Sequence, residues 1–197
     1  MIDLNYWNLS EIIKKNGYRF FTKPYDLNFV GIRTNTKQIN EFEDLFCILY
    51  RDEKGTEIVF TAQATTDPGL YWLLNPMNTL GTAIMKPGNY EKLWKIGMHK
   101  DIRALVQNSP VTVYRDNNRD GKLDLVSGTE ETGIFGINCH PASRIGKSVA
   151  VNKWSAGCIV IADIKDFIEI MKLVDRQVIY GHGSLFSFTL FGENDLN

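Results

Sequence analysis

Cysteine, histidine and net charge are all scarce in this chain, and each scarcity excludes a class of protein. Three cysteines among 197 residues, with no CxxC pair, predict neither a disulfide framework nor a structural zinc site. The three histidines, His99, His140 and His182, show neither HxH nor HExxH spacing, so a zinc hydrolase is not predicted. The formal net charge of -1 argues against a nucleic-acid partner held by bulk electrostatics.

Long apolar runs are missing as well. Every apolar run is far shorter than the roughly 20 residues that a bilayer-spanning helix needs, so no membrane partner is expected. The first six residues, MIDLNY, lack the basic and apolar stretches of a secretory signal. The sequence therefore predicts a protein that acts without a membrane anchor or a Sec signal of its own.

The segments that are present are short, strand-like and separated by turns. One pair of them flanks the hairpin-type turn DEKG at residues 52–55. Helices are predicted at residues 7–15 and after Asp163, where apolar residues recur at helical spacing. Strands are predicted at residues 46–50, 57–62, 82–85, 93–96, 103–106, 111–114, 122–126, 133–139, 158–162 and 186–191.

This order of elements predicts the fold class. Many short strands with few helices indicate a mostly β fold, either a sandwich or a barrel. No internal repeat, low-complexity tract or linker divides the chain. Residues 1–197 are therefore interpreted as one domain, with residues 1–40 as a candidate N-terminal extension.

The segment Ser155-Ala156-Gly157-Cys158 is the most informative in the chain. A thiol acts as a nucleophile where the backbone leaves it accessible and a partner takes its proton. Gly157 permits a tight approach just before Cys158, and the amides of these two residues are candidate donors to an oxyanion. Ser155 is a candidate to brace the turn. Taken alone, however, the segment is read more simply as the start of a buried strand.

His140 is the candidate partner for that thiol. Alternation along the preceding strand-like run places Cys139 on the apolar face, and Asn138 with His140 on the opposite face. A histidine at a strand end can act as a base toward a nearby thiol, and Asn138 is a candidate substrate contact. Cys139 is the rival nucleophile, but its apolar face predicts burial.

These residues resemble a known family. A histidine that ends a strand, followed after 18 positions by the cysteine of a Ser/Thr-x-Gly-Cys motif, is similar to the L,D-transpeptidase catalytic domain. Here the two residues are His140 and Cys158. Upstream, GTAIMKPGNY at residues 81–90 is similar to the family's Thr-Pro-x-Gly-x-Phe strand. The resemblance covers about residues 81–163 and identifies the chain as a divergent member.

The resemblance implies an activity, a substrate and a location. It implies a thiolate–imidazolium pair of Cys158 and His140 that attacks the L-centre carbonyl of a diamino acid in a peptidoglycan stem peptide, with D-alanine leaving. An amine would resolve the acyl-enzyme into a cross-link, whereas water would make the enzyme a carboxypeptidase or endopeptidase. No cofactor is implied. The site of action would be the bacterial cell wall, reached through a phage or a specialised secretion system, and the oligomeric state is left open.

The chain departs from the family pattern around this pair. Ala156 stands where a second histidine is common, Val160 where Arg or Asn is frequent, and Pro141 where Gly or Ser is usual. These departures leave two alternatives open. One is a catalytically idle wall-binding or virion structural protein of the same fold, and the other is a cysteine peptidase that acts on proteins.

Three residues between His140 and Ser155 are candidates for binding the substrate. Arg144 and Lys153 are cations that would replace the family's missing arginine as carboxylate binders, and Trp154 is a candidate wall of the pocket. A solvated charge or ordinary packing on the core would explain each of them equally well.

A second motif has the oxygen spacing of a calcium loop. The segment DNNRDGKLD starts at Asp116 and places further side-chain oxygens at Asn118, Asp120 and Asp124, with glycine at the sixth position. The twelfth position is Ser127 rather than the glutamate that such loops need, and the flanks look like strands. A polar hairpin turn is the competing interpretation, and calcium, if bound, is expected to be structural.

Overall fold

The computed structural model describes residues 4–36 and 39–196. Strands account for 38% and helices for 18% of it, which confirms the predicted mostly β fold with a few helices. Of the candidate N-terminal extension at residues 1–40, positions 1–3, 37 and 38 lie outside the described residues.

A closed barrel of eight strands forms the centre of the molecule. Its strands are in the order β1 (Asn28–Arg33), β11 (Leu185–Gly192), β5 (Gly88–His99), β6 (Ile102–Gln107), β9 (Cys139–Pro141), β10 (Ile159–Ile161), β3 (Glu57–Thr65) and β2 (Asp44–Arg51). The neighbours are antiparallel except for β1 with β11 and β9 with β10, which are parallel. Full closure of the barrel leaves it without an unpaired edge strand.

A second sheet and the helices cover this barrel. The sheet has three antiparallel strands in the order β4 (Thr82–Met85), β7 (Val111–Asp116) and β8 (Glu131–Gly133). The helices are α1 (Tyr6–Lys15), α2 (Leu70–Leu74) and α3 (Ile164–Ile179), followed by a 3-10 turn at Glu193–Leu196. The Asp163 side chain accepts the Lys165 N–H and caps α3, because the first amides of a helix lack intrahelical acceptors.

Aromatic rings fill the barrel interior. Trp94 and Phe188 lie 4.6 Å apart between ring centroids, and Phe46 stacks on Phe188 at 6.0 Å. The indole N–H of Trp94 donates to the Ile137 carbonyl at 2.9 Å, so its burial leaves no unpaired donor. Each fully buried ring stabilises the fold by about 1.5–3 kcal/mol relative to exposure.

Three expectations about local structure need correction. Residues 122–126 form no strand: the backbone N–H groups of Lys122 and Asp124 donate to the side chains of Asp120 and Asp116 instead of to a neighbouring strand. The strand expected at 133–139 is interrupted at Gly136, where φ is +77°, and its two ends belong to different sheets. Within the candidate N-terminal extension, residues 28–33 belong to the barrel, because β1 pairs with both β2 and β11.

The described residues contain no membrane-spanning helix. Within 4–36 and 39–196, none of the helices has both the length and the apolar content that crossing a bilayer requires.

Candidate active site

Cys158 lies in the last turn before β10. Ser155, which is fully buried, holds this turn together: its Oγ donates to the Cys158 carbonyl at 2.8 Å and accepts the Gly157 N–H at 3.1 Å. The predicted bracing role of Ser155 therefore matches these contacts. The Gly157 amide, expected as an oxyanion donor, is already used by Ser155. Among the described residues the Cys158 amide has no acceptor, and it is the donor that remains.

Gly157 is required by two features of this turn. Its φ of +123° lies in a region that side chains disfavour. A Cβ atom there would also lie 2.6 Å from the Ala83 carbonyl oxygen of β4. The close approach of the turn to β4 therefore depends on the absence of a side chain.

The three cysteines differ in their surroundings. Cys47 and Cys139 are fully buried, whereas Cys158 is partly exposed. The Cys158 thiol donates to the Gly136 carbonyl at 3.3 Å. Burial of the sulfur raises the pKa of Cys158, while a backbone hydrogen bond from Asn138 and the charge of Lys100 oppose that rise. Cys158 is therefore the least buried of the three cysteines, and its thiol is neutral at rest.

His140 is buried beside this turn in a single tautomer. Its Nδ1 lies 3.0 Å from the Pro141 carbonyl, and because a carbonyl only accepts, Nδ1 carries the hydrogen. Nε2 is buried without a hydrogen-bond partner among the described residues. Burial lowers the pKa of His140 to about 4, with smaller contributions from His99 and Lys100. The imidazole is thus neutral, with its Nε2 lone pair free to accept a proton.

The parallel pairing of β9 with β10 places the two residues on neighbouring parts of the barrel. His140 is opposite Val160, and Ile159, next to Cys158, is opposite Cys139. No hydrogen bond joins the thiol to Nε2: the thiol donates to Gly136, and Nε2 has no partner among the described residues. The pKa directions of both groups favour a neutral pair at rest, rather than the thiolate–imidazolium pair that the family resemblance implies.

His99 is a part of this site that the sequence did not reveal. Its ring stacks on that of His140 with centroids 4.1 Å apart and an interplanar angle of 10°. Asn138 holds it by donating Nδ2–H to His99 Nδ1 at 3.0 Å, and Asn138 Oδ1 accepts the Gln107 N–H at 2.8 Å. Burial lowers the pKa of His99 as well. Asn138, expected as a substrate contact, is engaged here as a brace for the histidine pair.

The expected carboxylate binders lie elsewhere. Arg144 has a side chain that is 61% exposed and faces Asp101 at 3.5 Å. The Lys153 ammonium lies 4.0 Å from the centroid of the Tyr71 ring. Trp154 is 44% exposed. A cleft of about 350 Å³ adjoins the turn that carries Cys158, and none of the three residues lines it. Their positions therefore do not support the idea that they replace the missing family arginine.

This cleft of about 350 Å³ is open beside the turn that carries Cys158. Its lining includes Ala156, two residues before Cys158, and Phe135, next to the Gly136 acceptor of the thiol. Cys158 and His140 are not themselves lining residues. Arg115, on β7, is the charged side chain of the lining. The remaining lining residues are Trp72, Met77, Asn78, Gly81, Thr82, Ala83 and Ile134.

The candidate calcium loop uses its oxygens for its own backbone. Asp116 Oδ2 accepts the Asp124 N–H at 3.2 Å, Asn118 Oδ1 accepts the Asp120 N–H at 3.1 Å, and Asp120 Oδ1 accepts the Lys122 N–H at 2.9 Å. The three carboxylates are not gathered within 4.8 Å of one another in the described chain. Calcium binding by this loop stays a prediction, and the polar-turn interpretation accounts for these contacts.

Three other carboxylates do lie close together, near the ends of β1 and β2. Glu43, Asp44 and Asp67 approach within 4.8 Å. Arg33 enters the same cluster, with Nε 2.8 Å from Asp67 Oδ1, while its N–H groups bond Thr66 and the Met85 carbonyl. A guanidinium occupies the position that a metal cation would need. We therefore interpret this group as an ion-pair network.

Comparisons with known proteins leave the site to be judged on its geometry. No protein-family model, no curated protein and no solved structure matches this chain.

Proposed function

We propose that the chain is a cysteine-dependent acyl transferase or peptidase of the L,D-transpeptidase type, acting on peptidoglycan stem peptides with Cys158 as the nucleophile and His140 as the base. The observation that carries this proposal is the unpaired Nε2 of a buried, neutral imidazole on β9, the strand paired with β10, which directly follows Cys158, the least buried of the three cysteines. An unpaired buried polar atom costs about 1–3 kcal/mol. Nε2 is one of five such side-chain atoms among the described residues, and it is the imidazole nitrogen of the five.

The chemistry follows from a neutral pair. The thiol hydrogen turns from Gly136 to His140 Nε2 as Cys158 Sγ bonds to the carbonyl carbon, and the Cys158 amide supports the oxyanion. The carbon–nitrogen bond then breaks, and the leaving D-alanine amine takes the proton from Nε2. An amine or water next attacks the thioester carbonyl and gives its proton to Nε2. The carbon–sulfur bond then breaks, and Nε2 returns that proton to the Cys158 sulfur.

A second candidate has its own support. The raised pKa of Cys158 and the bond of its thiol to Gly136 also suit a catalytically idle wall-binding or virion structural protein. A peptidase acting on proteins would use the same two residues. These alternatives differ in what they turn over, and a direct assay separates them.

The test compares Cys158→Ala with Cys139→Ala on purified peptidoglycan, followed by mass spectrometry of the muropeptides. We expect Cys158→Ala to reduce turnover by at least about 1,000-fold, because it removes the nucleophile. We expect Cys139→Ala to retain turnover and to lower the free energy of unfolding by about 0.5–3 kcal/mol, because Cys139 is buried.

Iodoacetamide labelling across pH, with mapping of the modified cysteine, is the companion measurement. Cys158 should be labelled selectively in the folded protein, with a rate that rises through a pKa above the usual value of about 8.5. Equal loss of turnover in both variants would refute the assignment of the nucleophile. Cleavage of an unstructured protein with peptidoglycan untouched would favour the peptidase. No turnover, with Cys158 as unreactive as Cys47, would favour the idle protein.

A further inference from the structure

We infer that Arg115 binds a carboxylate of the peptide in the cleft and thereby selects substrates that carry one. This inference rests on the proposed function for the identity of the peptide. The cleft shares Ala156 with the turn that carries Cys158. A ligand in the cleft therefore contacts the turn that carries the proposed nucleophile, although Cys158 itself does not line the cleft.

Arg115 is a buried cation in a fixed orientation. Its side chain is 8% exposed. Nε donates to Glu131 Oε2 at 2.7 Å, and Nη1 donates to the Gly81 carbonyl at 3.2 Å. The guanidinium also lies 4.6 Å from the centroid of the Phe135 ring. These contacts hold the plane of the guanidinium, so that binding a ligand costs little further ordering of the side chain.

The guanidinium has N–H donors that its contacts with Glu131 and Gly81 do not use. It has five N–H groups, and the contacts with Glu131 and Gly81 use two of them. Nη2 has no acceptor among the described residues, yet it is not among the buried atoms left without a partner. It is therefore accessible to whatever occupies the cleft. An arginine fork binds carboxylates through two parallel N–H groups, which matches the donors that remain.

The surrounding charges support an anionic ligand. Arg115 is the charged residue of the cleft lining, and the rest of that lining is apolar or neutral. Glu131 offsets part of its charge, but the Glu131 side chain is 39% exposed, so water screens it more than it screens the buried guanidinium. The nearby Glu130 is paired with Lys86 at 2.9 Å. The cleft therefore presents a cation to a ligand, and the carboxylate paired with that cation lies outside the lining.

A stem peptide offers two carboxylates near the scissile bond. One is on the side chain of a dicarboxylic diamino acid, and the other is the C-terminal carboxylate of D-alanine. Both present the same chemistry to Arg115, and amidation removes either one separately. The discriminating ligands are therefore tetrapeptides with both carboxylates free, with the side-chain carboxylate amidated, or with the C-terminal carboxylate amidated.

The experiment measures binding of these tetrapeptides to the Cys158→Ala protein by calorimetry, so that turnover does not interfere. We expect Arg115→Met to weaken binding of the tetrapeptide with both carboxylates unamidated by about 10- to 100-fold, the range of a charge-assisted hydrogen bond. It should not change the affinity for the tetrapeptide in which the carboxylate bound by Arg115 is amidated. Arg115→Lys keeps the charge without the fork, and should fall between the two.

Two further variants separate recognition from structure. Glu131→Gln removes the neighbouring negative charge and should tighten the free tetrapeptide, whereas a purely structural Arg115–Glu131 pair would predict no gain. Arg103→Met is the matched control, because Arg103 also pairs with a carboxylate, Asp175 at 2.5 Å, but lies outside the cleft. It should change the affinity for none of the ligands.

The outcomes distinguish this inference from the proposed function. If all three tetrapeptides bind equally and Arg115→Met weakens them equally or not at all, carboxylate selection by Arg115 is wrong while peptide binding stands. N-acetyl-D-alanine and its amide serve as a minimal pair. If they show Arg115-dependent preference for the acid while no tetrapeptide binds, the carboxylate site stands and the stem-peptide function is wrong. If neither set binds, both are wrong.

Discussion

Two buried polar clusters lie at strand ends of the same barrel, and they are built from different interactions. At the ends of β1 and β2, Arg33 donates to Thr66 and Met85, and both carboxylate oxygens of Asp44 accept from Thr34 or Thr66. On β9, His140 Nε2 has no partner in the described chain, and in the first cluster Glu43 Oε2 and Asp67 Oδ1 have no hydrogen-bond partner either. The first cluster is built around the ion pair of Arg33 and Asp67, whereas the second is built around the stacked rings of His99 and His140.

The two clusters suit different roles. The Arg33–Asp67 ion pair is buried, and removing one partner of such a pair leaves an uncompensated buried charge. A neutral imidazole with an unpaired nitrogen, as in His140, can accept a proton. We therefore expect the first cluster to affect stability and the second to affect turnover.

Removing the acceptor should give the largest effect. His140→Gln should reduce turnover of peptidoglycan peptides by about 100- to 10,000-fold, the usual contribution of a general base. In the wild type, kcat/KM should hold down to about pH 4–5 and fall below that, because the pKa of His140 is lowered to about 4 and only the neutral imidazole accepts a proton.

The measurement is the pH profile of kcat/KM on a synthetic stem peptide. An acid limb near pH 6.5, the value of an unperturbed histidine, would contradict a buried neutral base. Unchanged turnover by the His140→Gln protein would remove His140 from the mechanism.

Breaking the Arg33–Asp67 ion pair should affect stability instead. Arg33→Met leaves Asp67 without its cation, and we expect the free energy of unfolding to fall by about 3–5 kcal/mol, as for other broken buried ion pairs. Urea denaturation measures this loss. The exposed Arg103–Asp175 pair is the control, because Arg103→Met should cost about 0–1 kcal/mol. Equal costs for the two variants would show that the buried network contributes no special stability.

The smallest expected effect is at Glu43, beside that cluster. Burial raises the pKa of Glu43 to about 7, with Asp44 and Asp67 adding to the rise. The folded state therefore binds a proton that the unfolded chain has released, and stability falls as pH rises from about 4.5 to 7. Glu43→Gln should stabilise the protein at pH 8 by on the order of 1 kcal/mol, discounted for partial exposure.

Thermal unfolding at pH 4 and pH 8 checks this expectation. The gain of Glu43→Gln over the wild type should vanish at pH 4, where Glu43 is protonated in both states. A gain of equal size at both values would mean that the charge of Glu43 is not the cause.

Much of the fold was predictable from the sequence, and the errors in that prediction have local causes. Helix α3 and strands β2, β3 and β11 follow from apolar spacing and turn residues. β1 was missed because all six of its residues are buried, so NFVGIR shows no alternation. The segment at 133–139 was read as one strand because its apolar residues alternate, but the positive φ of Gly136 breaks it, and sequence does not reveal that angle.

The sequence by itself identified Cys158, His140 and Ser155 as candidate site residues, because their types and spacing form one local pattern. Only the tertiary structure decided what surrounds them. His99 reaches His140 through the pairing of β5 with β6 and of β6 with β9, and Arg115 reaches the cleft through the second sheet. Such contacts join residues far apart in the chain, and they arise from the closure of the barrel, which no local spacing encodes.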